Sequence, residues 1–143
     1  MKKSVSFAAI ALAAFFIFLS CKPAEVREAE SVLSRTFGTV PSNVEFVMMD
    51  KSDSLDSYAL TVKDDILTVE GTSPVALCKG FYDYVLANGY GIASWTGDRL
   101  EFPGELEDMS RQVVTSPFCA RLYYNVCTYG YTTPLWGWVE WEK

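Results

Sequence analysis

The chain has 143 residues, half of them apolar and 15% aromatic, with a formal charge of −6 and no histidine. That length leaves room for one domain and little more, and the apolar share is enough to bury a core, which excludes wholesale disorder. An acidic chain without a basic cluster repels phosphate backbones, so no nucleic-acid partner is expected, and the lack of histidine removes Ser-His-Asp and Cys-His catalysis and histidine-ligated metal sites.

The first segment reads as an address label. Lys2 and Lys3 form a positive start, and Val5 to Leu19 is apolar apart from Ser6. Such a run is short for a hydrocarbon core of ~30 Å, and no positive block follows it to stop transfer. An ordinary cleaved signal peptide and a signal anchor are both compatible with this pattern. The sharper expectation is a lipoprotein signal over residues 1–20, because Cys21 stands where the apolar run ends, just after the small residue Ser20. Phe18-Leu19-Ser20-Cys21 resembles a lipobox, with Leu19 where a smaller residue is usual. Lipid on Cys21 would tether the protein to a membrane of the cell envelope, each buried methylene contributing about 0.8 kcal/mol. Without Lys2 and Lys3 the formal charge goes from −6 to about −8.

Residues 23–37 carry Val26, Ala29, Val32, Leu33 and Phe37 at helical spacing, with Glu25, Arg27, Glu28 and Glu30 mostly on the other face. Gly38 is the expected stop. After the turn at Pro41-Ser42-Asn43, Val44 to Met49 reads as a strand, and the polar stretch Asp50 to Asp56 as a loop. Tyr58 to Lys63 and Ile66 to Glu70 then form a hairpin about Asp64-Asp65, a weaker turn than Asp-Gly, which leaves the register open by one residue. Ser73-Pro74 opens a second helix, with Ser73 as its cap. It runs to about Ala87 and buries Leu77, Cys78, Phe81, Tyr84 and Val85, and Asn88-Gly89 closes it. Helix, three antiparallel strands and helix make a small α+β layer sandwich with the helices on one face of the sheet.

Beyond Gly91 the pattern is less regular. Ile92 to Trp95 suits a short strand, residues 97–111 read as a polar, acidic connection, and Gln112 to Thr115 as an extended stretch. Ser116-Pro117-Phe118 is a break, and Arg121 to Thr128 reads as a strand. An amphipathic helix capped by Thr132 or Thr133 is expected to begin just before the sequence ends. Trp136, Trp138 and Trp141 on that helix need a surface to pack against, which points to a longer native product. Of the four cysteines, Cys78, Cys119 and Cys127 cannot all pair with one another, and none belongs to a CxxC. Buried free thiols are expected, with neither a disulfide framework nor a metal site.

The stretch Arg121-Leu-Tyr-Tyr-Asn-Val-Cys-Thr-Tyr-Gly-Tyr, with Trp136-Gly-Trp-Val-Glu-Trp-Glu, resembles the opening of the catalytic barrel in the α-N-acetylglucosaminidases of glycoside hydrolase family 89. Val69-Glu-Gly-Thr-Ser-Pro-Val-Ala-Leu-Cys-Lys-Gly-Phe-Tyr-Asp-Tyr is similar to the strand-to-helix unit of that family's N-terminal domain. The resemblance implies an N-terminal α+β domain with its linker over residues 21–115, and the truncated start of a (β/α)8 barrel over residues 116–143. It implies an exported hydrolase acting on glycans with terminal α-linked N-acetylglucosamine, without a cofactor. Retaining chemistry of this kind needs two carboxylates about 5–5.5 Å apart. In the family these come from later barrel strands, so no catalytic residue is assigned here and the chain by itself is expected to be inactive.

What the segment offers by resemblance is pocket wall. Ligands bind at the C-terminal ends of barrel strands. Asn125 is placed to hydrogen-bond a sugar hydroxyl, with Cys127 and Tyr129 lining the wall beside it. Barrel core is the competing role for Cys127 and Tyr129. Glu140 and Glu142 suit a solvated or capping role, and Asp64, Asp65 and the run Glu105 to Asp108 a solvated one. The alternative to a glycosidase segment is a stand-alone lipoprotein that binds glycan or a partner protein through its aromatic tail.

Overall fold

The computed structural model describes residues 22–94, 96–122 and 136–141. Helix α1 spans Ala24–Phe37 and ends at Gly38, whose φ of 79° places it in the left-handed region and whose amide reaches back to Ser34. Val26, Ala29 and Leu33 form its buried stripe. Val32 is exposed and Phe37 half-buried, because residue 32 lies about a quarter-turn from the centre of that stripe.

Strands β1 (Val44–Met48), β2 (Ser57–Lys63) and β3 (Ile66–Gly71) follow. The hairpin closes as expected, with Lys63 opposite Ile66 and a two-residue turn between them. Asp64 and Asp65 have φ of 51° and 64°, the paired positive values that match the twist of a tight hairpin. The sheet runs in the order β1-β3-β2-β6, where β6 is Met109–Thr115. Two features differ from the sequence-based expectation. First, β1 lies parallel to β3, with Phe46 opposite Val69, whereas the three strands were expected to be antiparallel. The link over residues 49–56 carries the chain across β3 before β2 begins, so β1 takes the free edge of β3 and runs in its direction. Second, a fourth strand, β6, pairs antiparallel with β2 along its whole length, with a bulge between Leu60 and Val62.

Helix α2 spans Pro74–Ala87; the Ser73 side chain accepts the Ala76 amide, and Pro74 opens the first turn. It lies over β2 and β3 with α1 beside it, and α1 also meets β1. The approach is close at Gly80, where an added Cβ would stand 3.0 Å from ring atoms of Tyr58. Phe81, fully buried, is the centre of the core. Its ring meets those of Phe37 and Phe46 edge-on and stacks on Phe102 at 5.8 Å.

The region read as a polar connection is more ordered than its composition suggests. Strands β4 (Gly91–Ser94) and β5 (Gly97–Leu100) form a second, two-stranded hairpin. Phe102 then packs against Phe81, Tyr84 and Tyr90, and Leu106 is buried. Asp65 Oδ1 accepts the Leu106 amide at 2.9 Å, and Asp108 Oδ1 accepts the Asp64 amide at 3.3 Å. Asn43 Nδ2 donates to the carbonyls of Asp65 and Pro103. Thus the acids of the hairpin turn and of the connection tie the linker across the end of the sheet, where simple solvation was expected. Single apolar residues among acids, such as Leu106, carry no periodicity, which is why this part was not legible.

Candidate functional site

Sheet geometry carries the chain toward the segment with the predicted pocket residues. β6 pairs with β2 up to the match of Ser57 with Thr115, and their hydroxyls meet at 2.8 Å. One residue on, the Ser116 amide donates to the Asp56 carbonyl at 2.8 Å. The Asp56 carboxylate then receives two cations. Lys51 Nζ lies 2.9 Å from Oδ1 and Arg121 Nη1 lies 3.1 Å from Oδ2. Arg121 Nη2 also donates to Ser116 Oγ at 3.3 Å. The hydrogen bonds from Lys51 and then Arg121 hold the Asp56 carboxyl below its ordinary pKa.

This cluster joins the loop before β2 to the chain leaving β6, and Asp56 is shielded within it: 17% of its side chain is exposed, against 52% for Arg121. The sequence marked Asp50 to Asp56 only as a polar loop. The one available signal was charge, because Arg121 is the only cation between Arg111 and Lys143.

A second pairing crosses the outer face of the sheet. Arg111 Nε lies 2.6 Å from Glu70 Oε2 and so reaches from β6 over β2 to β3. Ala59 of β2, fully buried, lies in register with Glu70 on one side and with Val113 on the other. Neither arrangement is an acid/base pair. Among the described residues, one surface hollow is lined by Arg27, Glu28 and Arg35 of α1, and another by Pro41, Asn43, Leu100 and Phe102. Neither is lined by two carboxylates, which glycoside hydrolysis requires. Among the described residues no cluster of three potential metal ligands occurs, and no helix is long and apolar enough to cross a membrane.

Asn125, Cys127, Tyr129 and Cys21 lie outside the described residues, as do Cys127's expected thiol state, the segment 1–20 and most of the strand expected from Arg121 to Thr128. Arg121 and Leu122 themselves have no regular structure. Cys78 is a half-buried free thiol, its pKa pushed up by burial. Cys119 is an exposed one, where a buried thiol was expected, because the chain has left the sheet by residue 116 and offers it no cover. Helix α3 spans Trp138–Trp141. It starts there, and does not run on from a cap at Thr132 or Thr133, since residues 136 and 137 are not helical. Glu140 Oε2 accepts the Gly137 amide at 2.8 Å, the reach-back contact of a capping box. Trp138 is 76% exposed.

The alpha-N-acetylglucosaminidase (NAGLU) N-terminal domain matches residues 27–106, more than half of the chain. The chain belongs to this family. The match runs from within α1 to Leu106, the stretch that holds most of α1, all of α2, the central hairpin and the aromatic core. Human alpha-N-acetylglucosaminidase is 28% identical over 128 residues, which covers 83% of this chain and 17% of the human protein. The chain therefore spans about a sixth of that relative's length.

Solved structures of a family 89 glycoside hydrolase from Clostridium perfringens share the fold. The complex with 2-acetamido-1,2-dideoxynojirmycin superposes with a TM-score of 0.67 at 24% identity, over 81% of this chain and 14% of that one. A variant in complex with its substrate GlcNAc-alpha-1,4-galactose gives 0.69 at 24% identity, with the same coverage. The complex with PUGNAc gives 0.69 at 21% identity, over 99% of this chain and 18% of that one. The α+β fold of the alpha-N-acetylglucosaminidase N-terminal domain is thus the fold of this chain.

Proposed function

We propose that this chain is the N-terminal, non-catalytic portion of an exported glycoside hydrolase that removes terminal α-linked N-acetylglucosamine from glycans. The observation that carries the reading is the family match over residues 27–106. Relatedness to human alpha-N-acetylglucosaminidase extends over 83% of the chain, and a Clostridium perfringens relative binds GlcNAc-alpha-1,4-galactose as its substrate. In this reading the domain supports the catalytic barrel. Residues 116–143 open the barrel, Asn125 hydrogen-bonds the sugar, and Cys127 and Tyr129 line the pocket beside it. The two carboxylates come from elsewhere in the native enzyme, and this chain alone is inactive.

Export rests on the leader. Lys2, Lys3 and the apolar run ending at Cys21 direct the protein to the cell envelope, where lipid on Cys21 anchors it to a membrane. A second reading, a stand-alone lipoprotein that binds glycan or a partner protein, draws on the exposure of Trp138 and of Phe118, at 76% and 67%.

The two readings part on the size of the native product. Sequencing the locus past codon 143 and blotting the cell envelope is expected to reveal a much longer protein that releases N-acetylglucosamine from an aryl α-glycoside. A product ending at Lys143 would withdraw the glycosidase reading in favour of the binding lipoprotein. Metabolic labelling with a fatty acid, lost in Cys21→Ser, tests the anchor separately.

A further inference from the structure

We propose that Asn88 is a latent site of spontaneous deamidation, held unreactive by the C-terminal cap of α2 and released when that end of the helix opens. Neither the chemistry nor the cap depends on the glycosidase reading. Of the three asparagines, Asn43 and Asn125 precede valine, and only Asn88 precedes glycine. Glycine has no side chain to shield its nitrogen, so in an open chain the Gly89 nitrogen can attack Asn88 Cγ. It gives up its proton to base, the N–Cγ bond forms and the Cγ–Nδ2 bond breaks. Ammonia leaves with a proton taken from water, and a five-membered succinimide remains. Water then adds to one of the two ring carbonyls and opens the ring to aspartate or isoaspartate. Water is the only co-reactant consumed, and Asn88 and Gly89 are both exposed to it.

The folded chain blocks this chemistry at both reacting groups. Asn88 has a ψ of −1°, which eclipses the Gly89 nitrogen with the nitrogen of Asn88 itself and turns it away from the side chain. The Gly89 amide donates to the Leu86 carbonyl at 3.1 Å, and the Tyr90 amide to the Val85 carbonyl at 2.9 Å. These are the two bonds that close a helix through a left-handed glycine, and Gly89 has the matching φ of 70°. Asn88 Nδ2 donates to the Tyr84 carbonyl at 2.9 Å, which fixes the carboxamide on the helix end. Tyr90 locks the arrangement, its ring edge-on to those of Tyr84 at 6.0 Å and Phe102 at 5.7 Å. Bringing the Gly89 nitrogen to Cγ requires a turn about ψ of Asn88, and that turn breaks the bonds of Gly89 and Tyr90 together. Once the reaction has run, the cap does not re-form as it was. Aspartate lacks the donor to Tyr84 and puts a negative charge where the helix dipole disfavours it, and isoaspartate adds an atom to the backbone.

The test follows deamidation of the native protein in mildly alkaline buffer, folded and in guanidinium chloride. Peptide mass spectrometry reads the loss of ammonia, and chromatography separates the isoaspartyl form. In denaturant, Asn88 should react before Asn43 and yield isoaspartate, and Gly89→Ala should slow that reaction. In the folded protein the rate at Asn88 should be lower by about tenfold or more, because reaction then waits on local opening of the helix end. Tyr90→Ala removes the ring that holds the cap. It should quicken hydrogen exchange at the amides of residues 89 and 90 and raise the folded rate of deamidation toward the denatured value. No preference for Asn88 over Asn43 in denaturant would overturn the site. Equal rates in folded and denatured wild type would overturn the protection by the cap. So would a folded Tyr90→Ala protein with quickened exchange and an unchanged rate of deamidation. If Tyr90→Ala does not fold, the comparison of folded with denatured wild type decides alone.

Discussion

The ring of Tyr58 occupies the space that a side chain at Gly80 would need. A Cβ at residue 80 would stand 3.0 Å from Cγ and Cδ2 of Tyr58 and 3.1 Å from Cγ1 of Val69. With any side chain there, the Tyr58 ring, Val69 or helix α2 must give by a few tenths of an ångström. Valine at this position must push the buried ring or the helix away, so Gly80→Val is expected to destabilise the protein by about 1–3 kcal/mol. Alanine also crowds the ring but gains up to about 1 kcal/mol of helix propensity, so Gly80→Ala should cost less. Chemical denaturation measures both, and a valine variant as stable as wild type would refute the packing argument.

The same tyrosine carries a pH signature. Its hydroxyl donates to Asp83 Oδ2 at 2.5 Å. Burial first, and then the Asp83 carboxylate, push the Tyr58 pKa well above its ordinary value of 10.0. A pKa raised on folding means that the stabilising contribution is fully present below the unfolded pKa. It is lost as pH rises from about 10 through the higher folded value. Tyr58→Phe should therefore flatten the alkaline limb of the stability curve, while leaving Asp83 with its contact to Lys79. Identical alkaline limbs in the two proteins would rule this out.

Asp56 should shape the acid limb. Its pKa is lowered by Lys51 and then Arg121, so the sign is the reverse. The contribution is present above the unfolded pKa of ~3.9 and is lost as pH falls from there through the depressed folded value. Asp56→Asn is expected to be less stable than wild type at neutral pH, with the difference shrinking below about pH 4. Thermal melts over an acid series give the comparison, and a gap that stays constant across that series would count against the carboxylate's role.

The two turn aspartates should respond differently to the same change. Both have positive φ, which glycine adopts without steric cost. Asp64 lends its amide to Asp108, and glycine keeps that amide. Asp65 uses its carboxylate to hold the Leu106 amide, and glycine cannot. Asp65→Gly is therefore expected to be less stable than Asp64→Gly by about 1 kcal/mol, the worth of one hydrogen bond. Denaturant unfolding of the two variants side by side settles it, and equal stabilities would mean that the tie to the linker contributes nothing.

Sequence alone determined the elements whose signals are local. The stripe Val26, Ala29 and Leu33 and the stop at Gly38 define α1, the Ser73 cap and Pro74 start α2, and Asp64-Asp65 closes the hairpin, whose register of Lys63 to Ile66 the structure fixed. Each depends on residues within a turn or two of one another, where periodicity, capping and turn chemistry act directly. Family membership was legible as well, chiefly from the run Arg121 to Tyr131 with Trp136 to Glu142, and less from the strand-to-helix run beginning at Val69. The pocket role proposed for Asn125, Cys127 and Tyr129 rests on resemblance, since their residue types have no pattern of their own. Tertiary structure decided the rest. Nothing near Val44 says that β1 runs parallel to β3, because that depends on which edge of the hairpin the crossing link leaves open. Nothing near Met109 says that β6 completes the sheet, because its partner β2 lies nearly fifty residues earlier and its own side chains are mostly exposed. The meeting of Asp56 with Arg121 is of the same kind: two charges in unremarkable loops become neighbours because β2 and β6 run antiparallel and bring their far ends together.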